Sequence, residues 1–378
     1  MRKLKKILKK MGMFFLALVV FLVIVAVLFL NFSPQFGGTP NEADRTRFTH
    51  SENYKEGVFV NRDGVTMEMG FDKFFKSLTG YFSPQPNTKP ERDLSVEKID
   101  SLNIADYEGP TRMIWFGHST FLLQMNGKIL LIDPMFGLVP APHPWLGANR
   151  FSAELPIAME KLPKIDAVIF SHDHYDHLDY GSVQLLKDKV ARFYVPLGVG
   201  AHLREWGVSE DIIVESDWWD EIQFQDLKFI CAPAQHFSGR GLNDRGKTLW
   251  CSWIIQSTKE NIFFSGDSGY GLHFKEIGAQ YGPFDFAMME CGQYNELWKE
   301  IHMMPEETVQ AGIDVQAQTI MPIHWGSFKL AMHPWTEPVE RLTQKANELG
   351  IPWTVPKIGE PIYLNGDKPI QEDWWTNF

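Results

Sequence analysis

The chain has 378 residues, 44% of them hydrophobic, which is length and apolar material for one large domain or two small ones. Net charge is −11, yet residues 1–32 carry six Lys/Arg and no acid, so the body beyond them is six units more negative than the whole. A body this acidic, with no basic patch interleaved with aromatics, excludes nucleic acid as a partner.

The N-terminus reads first. Arg2, Lys3, Lys5, Lys6, Lys9 and Lys10 precede an uncharged stretch from Met11 to Phe32. As a helix that stretch is roughly 33 Å long, about the thickness of a bilayer's hydrocarbon. A cleaved signal peptide has an apolar core of about 7–15 residues and ends in small residues. Leu28-Phe29-Leu30-Asn31-Phe32 offers no such ending. The expectation is an uncleaved transmembrane anchor over 1–32. Its basic flank stays cytoplasmic and the catalytic body lies on the periplasmic side.

Residues 33–109 form a linker and extension. Pro34, Gly37, Gly38 and Pro40 are linker composition. From Thr66 to Phe82, Phe71, Phe74, Phe75, Leu78 and Phe82 recur at near-helical spacing. This predicts a helix packed on the domain, with a helix lying on the membrane surface as the alternative. Residues 110–378 then alternate strands and helices. Strands are expected over Arg112–Phe116, Thr120–Gln124 and Lys128–Ile132, the last two joined by the turn Asn126-Gly127. Helices are expected over Gly181–Lys187, Val199–Trp206, Leu272–Tyr281 and Pro305–Val315, where Pro305, Glu306 and Glu307 suit a helix start. Periodicity alone supports a mixed α/β chain. Cys231, Cys251 and Cys291 lack paired spacing and read as buried thiols.

The chemistry concentrates at Ser171-His172-Asp173-His174-Tyr175-Asp176-His177, directly after the apolar run Ala167–Phe170. Imidazole nitrogens and a carboxylate suit zinc and similar first-row metals. His172, His174, Asp176 and His177 are too close in sequence to surround one tetrahedral ion without backbone strain. Two adjacent ions, each taking part of the set, fit metal-assisted hydrolysis. Further ligands follow other apolar runs: His236 after Phe229–Ala232, Asp267 after Ile262–Phe264, and His324 after Ile320–Ile323. Each run reads as a short buried strand, so these side chains converge on one sheet edge. Asp133, after Lys128–Ile132, reads as an outer-shell group that orients a ligand. His118 reads equally as a site residue or as a buried structural histidine.

The set His172-x-His174-x-Asp176-His177, with His236, Asp267 and His324 downstream, resembles the metallo-β-lactamase superfamily. Trp115-Phe116-Gly117-His118-Ser119-Thr120, Ile132-Asp133-Pro134, Asp217-Trp218-Trp219, Gly266-Asp267-Ser268-Gly269-Tyr270 and Ile323-His324-Trp325-Gly326 are similar to its N-acylphosphatidylethanolamine-hydrolysing phospholipase D branch. The similarity runs from about Pro110 to Pro338. It implies a four-layer αββα sandwich and two Zn²⁺. One ion falls to His172, His174 and His236, the other to Asp176, His177 and His324, with Asp267 bridging. A shared carboxylate of this kind holds two ions roughly 3.5–4 Å apart. The resemblance also makes His302 the contact for the phosphoryl or leaving oxygen, so Asp176, Asp267 and His302 are the expected catalytic residues. One segment departs from the branch: Pro144-Trp145 stands where it has Gln-Tyr. Pro144 has no backbone donor and Trp145 offers only an indole N–H.

The activity implied is cleavage of a membrane phospholipid phosphodiester in phospholipase D fashion. The products would be phosphatidic acid and the head group, with an N-acylphosphatidylethanolamine-like lipid as substrate. The alternative is a zinc-dependent lactone or carboxylic ester hydrolase. Oligomeric state, a homodimer included, is not legible in the sequence.

Overall fold

The computed structural model describes residues 2–66, 75–76, 79–80, 83, 85–364 and 369–378. The helix expected over Thr66–Phe82 falls largely outside them. Helix α1 spans Arg2–Phe32 and buries no residue in the protein. Among the described residues it is the one helix long and apolar enough to cross a membrane. A helix with no protein to cover its apolar surface fits a membrane anchor. The extension beyond it holds α2 (Glu42–Phe48), β1 (Tyr54–Lys55), β2 (Val58–Phe59) and α3 (Ser101–Ala105). Asn41 starts α2 with a reciprocal capping box, its side chain accepting from Asp44 N while Asp44 accepts from Asn41 N.

Two sheets follow. The first half supplies β3 (Arg112–Trp115), β4 (Phe121–Met125), β5 (Lys128–Ile132), β6 (Ala167–Ile169), α4 (Tyr180–Leu186), β7 (Phe193–Pro196), α5 (Gly200–Glu205) and β8 (Ile213–Ser216). The second supplies β9 (Glu221–Phe224), β10 (Leu227–Ala232), β11 (Ser252–Gln256), β12 (Asn261–Phe264), α6 (His273–Tyr281), β13 (Phe286–Glu290), α7 (Pro305–Asp314), β14 (Ile320–Ile323), α8 (Glu337–Leu349) and β15 (Pro361–Tyr363). The sheet orders are β15-β3-β4-β5-β6-β7-β8 and β14-β13-β12-β11-β10-β9. Each sheet begins as an antiparallel meander and continues with parallel strands. The expected hairpin turn is present: Asn126 and Gly127 take φ 51° and 70°, the left-handed pair that a tight two-residue turn requires.

Alternation along the strands builds the layers. In β5, Leu130 and Ile132 face one core while Leu131 faces another. In β6, Ala167 and Ile169 join the first and Val168 the second. The first core lies between the sheets, where Trp115, Leu123 and Ile169 meet Phe229, Cys231 and Trp253. The second lies under α4 and α5, with Val183, Leu186 and Leu203. Residues of α6, α7 and α8, such as Phe274, Val309 and Leu342, cover the second sheet. The result is the four-layer αββα sandwich. The three cysteines are buried and unpaired. Helix α8 lay outside the sequence expectation; it carries Pro338 in its first turn and ends on Gly350 in the left-handed region, φ 66°. Leu131 is wholly buried, so Leu131→Ala should destabilise the protein by about 2–5 kcal/mol. Thermal unfolding in detergent measures this, and an unchanged transition would contradict the second core.

Candidate metal centre

The parallel strands β5 and β6 of one sheet, and β10, β12, β13 and β14 of the other, end on the same edge. Asp133 and His324 directly follow β5 and β14, and Glu290 closes β13. His172–His177, His236 and Asp267 lie in the loops just beyond β6, β10 and β12. Residues distant in sequence therefore meet because their strands run the same way.

His174 Nδ1 lies 3.0 Å from His172 Nε2 and 3.1 Å from His236 Nε2. These separations are close to the edge of a tetrahedron with metal–nitrogen bonds of about 2.0–2.1 Å. A second group joins Asp176, His177, His324 and His118. Asp176 Oδ2 lies 3.1 Å from His324 Nε2, 3.5 Å from His177 Nε2 and 2.9 Å from His118 Nε2. Asp267 sits between the groups. Its Oδ2 is 3.1 Å from His177 Nε2 and 3.0 Å from His324 Nε2, and 3.8 Å from Nε2 of both His172 and His236.

The far nitrogen of most rings is engaged, which turns the near one inward. His177 Nδ1 is 2.7 Å from Asp133 Oδ2, and His236 Nδ1 is 3.0 Å from the Ile301 carbonyl. His172 Nδ1 is 2.9 Å from Ser171 Oγ. Asp133 also accepts Ser171 N and Ser171 Oγ, at 2.7 and 2.5 Å. It therefore holds two neighbours of the centre without facing it. This is the orienting position expected of outer-shell carboxylates. His118 is wholly buried, and its bond to Asp176 places it at the site.

Electrostatics favour a cation here. Burial, then the adjacent imidazoles, holds His172 well below the usual histidine range and keeps its lone pair available; burial and His174 do the same to His236. Burial opposes charge on His177 and His324, but the carboxylates of Asp267 and Asp176 outweigh it and raise both pKa values. Asp267 is likewise pushed up by burial, and the His177 and His324 rings reverse this, holding it ionised. Buried carboxylates thus draw positive charge into the cluster. Yet His177 Nε2 and Asp267 Oδ1 have no hydrogen-bond partner. Unsatisfied buried donors and acceptors are costly, and a divalent ion among inward-facing nitrogens and carboxylates would remove that cost. The donor set fits the group. Backbone strain accompanies it: His118, Asp133 and His324 take φ of 55°, 40° and 67°, at about 1–3 kcal/mol each. Reciprocal bonds lock two of them, His324 N to the His118 carbonyl and His118 N to the Trp325 carbonyl. Gly292 is obligatory alongside, since a Cβ there would lie 1.6 Å from His324 O.

His302 stands at the rim. Its ring stacks on His324, centroids 5.2 Å apart, and Nδ1 is 3.2 Å from Glu290 Oε1. His174, Asp176 and His302 are partly exposed while His172, His177, His236, Asp267 and His324 are buried, so the cluster opens on that side. Three residues that the sequence reading passed over also build the site. Glu290 holds His302 and accepts Met303 N at 2.9 Å; the apolar run Phe286–Met289 before it was the available signal. Asn61, from the extension, pairs with both backbone groups of His236, at 3.0 and 2.8 Å. Arg240 is buried and donates to the carbonyls of Asp173 and Leu178, at 2.6 and 2.8 Å, bracketing the ligand loop. Its Nη2 and Nε reach the Gln35 carbonyl, at 2.7 and 3.0 Å. Nothing local in sequence marks Asn61 or Arg240.

A family profile described as "Beta-lactamase superfamily domain" matches residues 128–325, a span that holds every expected ligand. The chain belongs to the metallo-β-lactamase superfamily. Its members bind divalent metals, and the chain is a metallo-hydrolase of that superfamily. It is 39% identical over 354 residues to an uncharacterized protein of Mycobacterium tuberculosis, covering 92% of this chain and 93% of that one. It is 31% identical over 274 residues to N-acyl-phosphatidylethanolamine-hydrolyzing phospholipase D 1 of Caenorhabditis elegans, covering 68% of this chain and 76% of that one. Isothiocyanate hydrolase from Delia radicum gut bacteria shares the fold, with TM-score 0.54 and 24% identity over 66% of this chain and 98% of its own.

Asp133→Ala should weaken metal binding about 10- to 100-fold, because it releases the His177 ring and the Ser171 backbone together. Competition against a chromogenic chelator measures this. Parent-like affinity would show that Asp133 has no orienting role.

Proposed function

We propose that the chain is a membrane-anchored di-zinc phosphodiesterase that cleaves a phospholipid on the head-group side of phosphorus. The observation that carries this reading is the pairing of two ligand clusters through Asp267 Oδ2, open on the side of His174, Asp176 and His302. The C. elegans phospholipase D similarity supports the lipid substrate. An N-acylated ethanolamine head group leads, and the Pro144-Trp145 departure is where head-group preference would differ. The basic flank of α1 supports a cytoplasmic N-terminus, with the body, and so the reaction, at the periplasmic face.

His172, His174 and His236 would hold one ion and Asp176, His177 and His324 the other, with Asp267 within reach of both sets. Zinc bound there would supply a water of pKa about 7 and Lewis-acid polarisation of a phosphoryl oxygen. The chain's own residues do the rest. Glu290 takes the Nδ1 side of His302, which leaves Nε2 for the phosphoryl or leaving oxygen. Asp133 and the Ile301 carbonyl keep His177 and His236 in the tautomer with Nε2 inward. The buried walls exclude water from all but the open side, which strengthens each polar contact.

Purified full-length protein in mixed micelles should release phosphatidic acid and free head group, and lose that activity on chelation. If phosphatidic acid never exceeds the chelated control while a soluble lactone is turned over, the lactone hydrolase reading replaces this one. Elemental analysis should find two zinc ions per chain; less than one metal in active protein rejects the paired centre. Asp267→Ala should abolish turnover and lose bound metal. His302→Ala should keep its metal and lower kcat by about 10²–10⁴, the scale of a positioned acid–base group. Full activity in Asp267→Ala with intact metal content would contradict the shared carboxylate.

A further inference from the structure

We propose that Trp145, Leu146 and Leu242 form a collar that enters the lipid leaflet around the end of α1 and seats the catalytic body on the bilayer. The inference rests on the reading of α1 as a transmembrane anchor. Two loops, far apart in sequence, flank the last turn of that helix. On one side the Phe29 ring meets His143 edge to face at 6.3 Å, and His143 in turn lies 4.3 Å from Trp145. On another, Leu30 and Asn31 share a cavity of about 470 Å³ with Gly241, Leu242 and Asn243. Where the helix leaves the membrane, both loops must therefore meet its surface.

Their side chains match that position. Trp145 is 88% exposed, Leu146 62% and Leu242 78%. Large apolar groups left in water at one end of a domain mark an interaction surface. An indole beside a membrane-crossing helix sits at the level where tryptophan is enriched, with its ring apolar and its N–H hydrated. The occupant is the leaflet itself, because the apolar surface is continuous with the helix that crosses it.

The junction is also too tight to let the body swing away. Phe36 packs edge to face on Phe29 at 5.4 Å. The Pro34 carbonyl accepts Trp206 Nε1 at 2.7 Å, and the Gln35 carbonyl accepts twice from Arg240. Gly37 and Gly38 then pass so close to the domain that a Cβ would lie 2.2 Å from His202 Nδ1 and 2.3 Å from Ala201 O respectively. The same Arg240 holds the carbonyls of Asp173 and Leu178 on either side of the metal-ligand loop. Few residues separate the bilayer from the metal centre, so the collar sets the height at which the site meets lipid.

The test uses the full chain in phosphatidylcholine liposomes, labelled with an environment-sensitive fluorophore at Leu146→Cys, Leu242→Cys or Leu349→Cys. The native cysteines are buried, and Leu349 is an exposed site at the end of α8. Flotation first shows whether α1 anchors the protein. Labels at 146 and 242 should shift to the blue and be quenched by spin-labelled lipid, while the label at 349 does neither. Parent-like metal content shows that each labelled chain is folded, and either collar site alone decides the outcome. If the protein floats but 146 and 242 behave like 349, the collar is wrong and the anchor stands. A shift that grows with protein-to-lipid ratio, without lipid quenching, assigns the patch to a second copy of the chain and overturns the proposal. Failure to float rejects the anchor and the collar together.

Discussion

Burying the Asp267 carboxylate among imidazoles is the constraint around which the molecule is arranged. An ionised carboxylate in a dry interior is tolerated only when positive charge or donors surround it. Here its Oδ2 lies within 3.1 Å of His177 and His324 and 3.8 Å of His172 and His236. Those rings come from two loops and a strand end, drawn from two different sheets. Much of the surrounding structure keeps them there: Asp133 on His177, the Ile301 carbonyl and Asn61 on His236, and the His118–His324 backbone pair. The left-handed backbone at His118, Asp133 and His324 is tolerated because the packed sheets over-determine it.

Support for the centre reaches outward in two directions. Behind His324, Trp325 is wholly buried among Trp115, Trp335, Trp374 and Trp375, with ring centroids 5.6 to 6.2 Å away. The C-terminal turn thereby backs a ligand that is remote from it in sequence. Behind the His172–His177 loop, Arg240 joins the loop carbonyls to the segment that follows α1. Burial lowers the pKa of Arg240, while four hydrogen bonds to backbone carbonyls and the Tyr175 ring beneath the guanidinium offset the cost of burying this cation. Helix α1, the segment after it and the His172–His177 loop are consequently parts of one hydrogen-bonded unit, a more intimate connection than linker composition at Pro34–Pro40 implied.

The chain by itself determined the elements with strong local signals. Met11–Phe32 declares a membrane-length helix because charge is absent over enough residues, and Asn126-Gly127 declares a hairpin because few residues accept two left-handed conformations. The candidate ligand types were legible too, since His172, His174, Asp176 and His177 crowd one short stretch after an apolar run, and His236, Asp267 and His324 repeat that context. What only the tertiary structure decided was pairing. Which nitrogen faces inward, that Glu290 holds His302, that Asn61 and Arg240 bind the ligand loops, and that Trp145 and Leu242 flank the same helix end all depend on contacts across large sequence separations. A sequence pattern records the chemistry of each residue and its local periodicity. It carries no register between strands of different sheets, and that register is what brings these side chains to one edge.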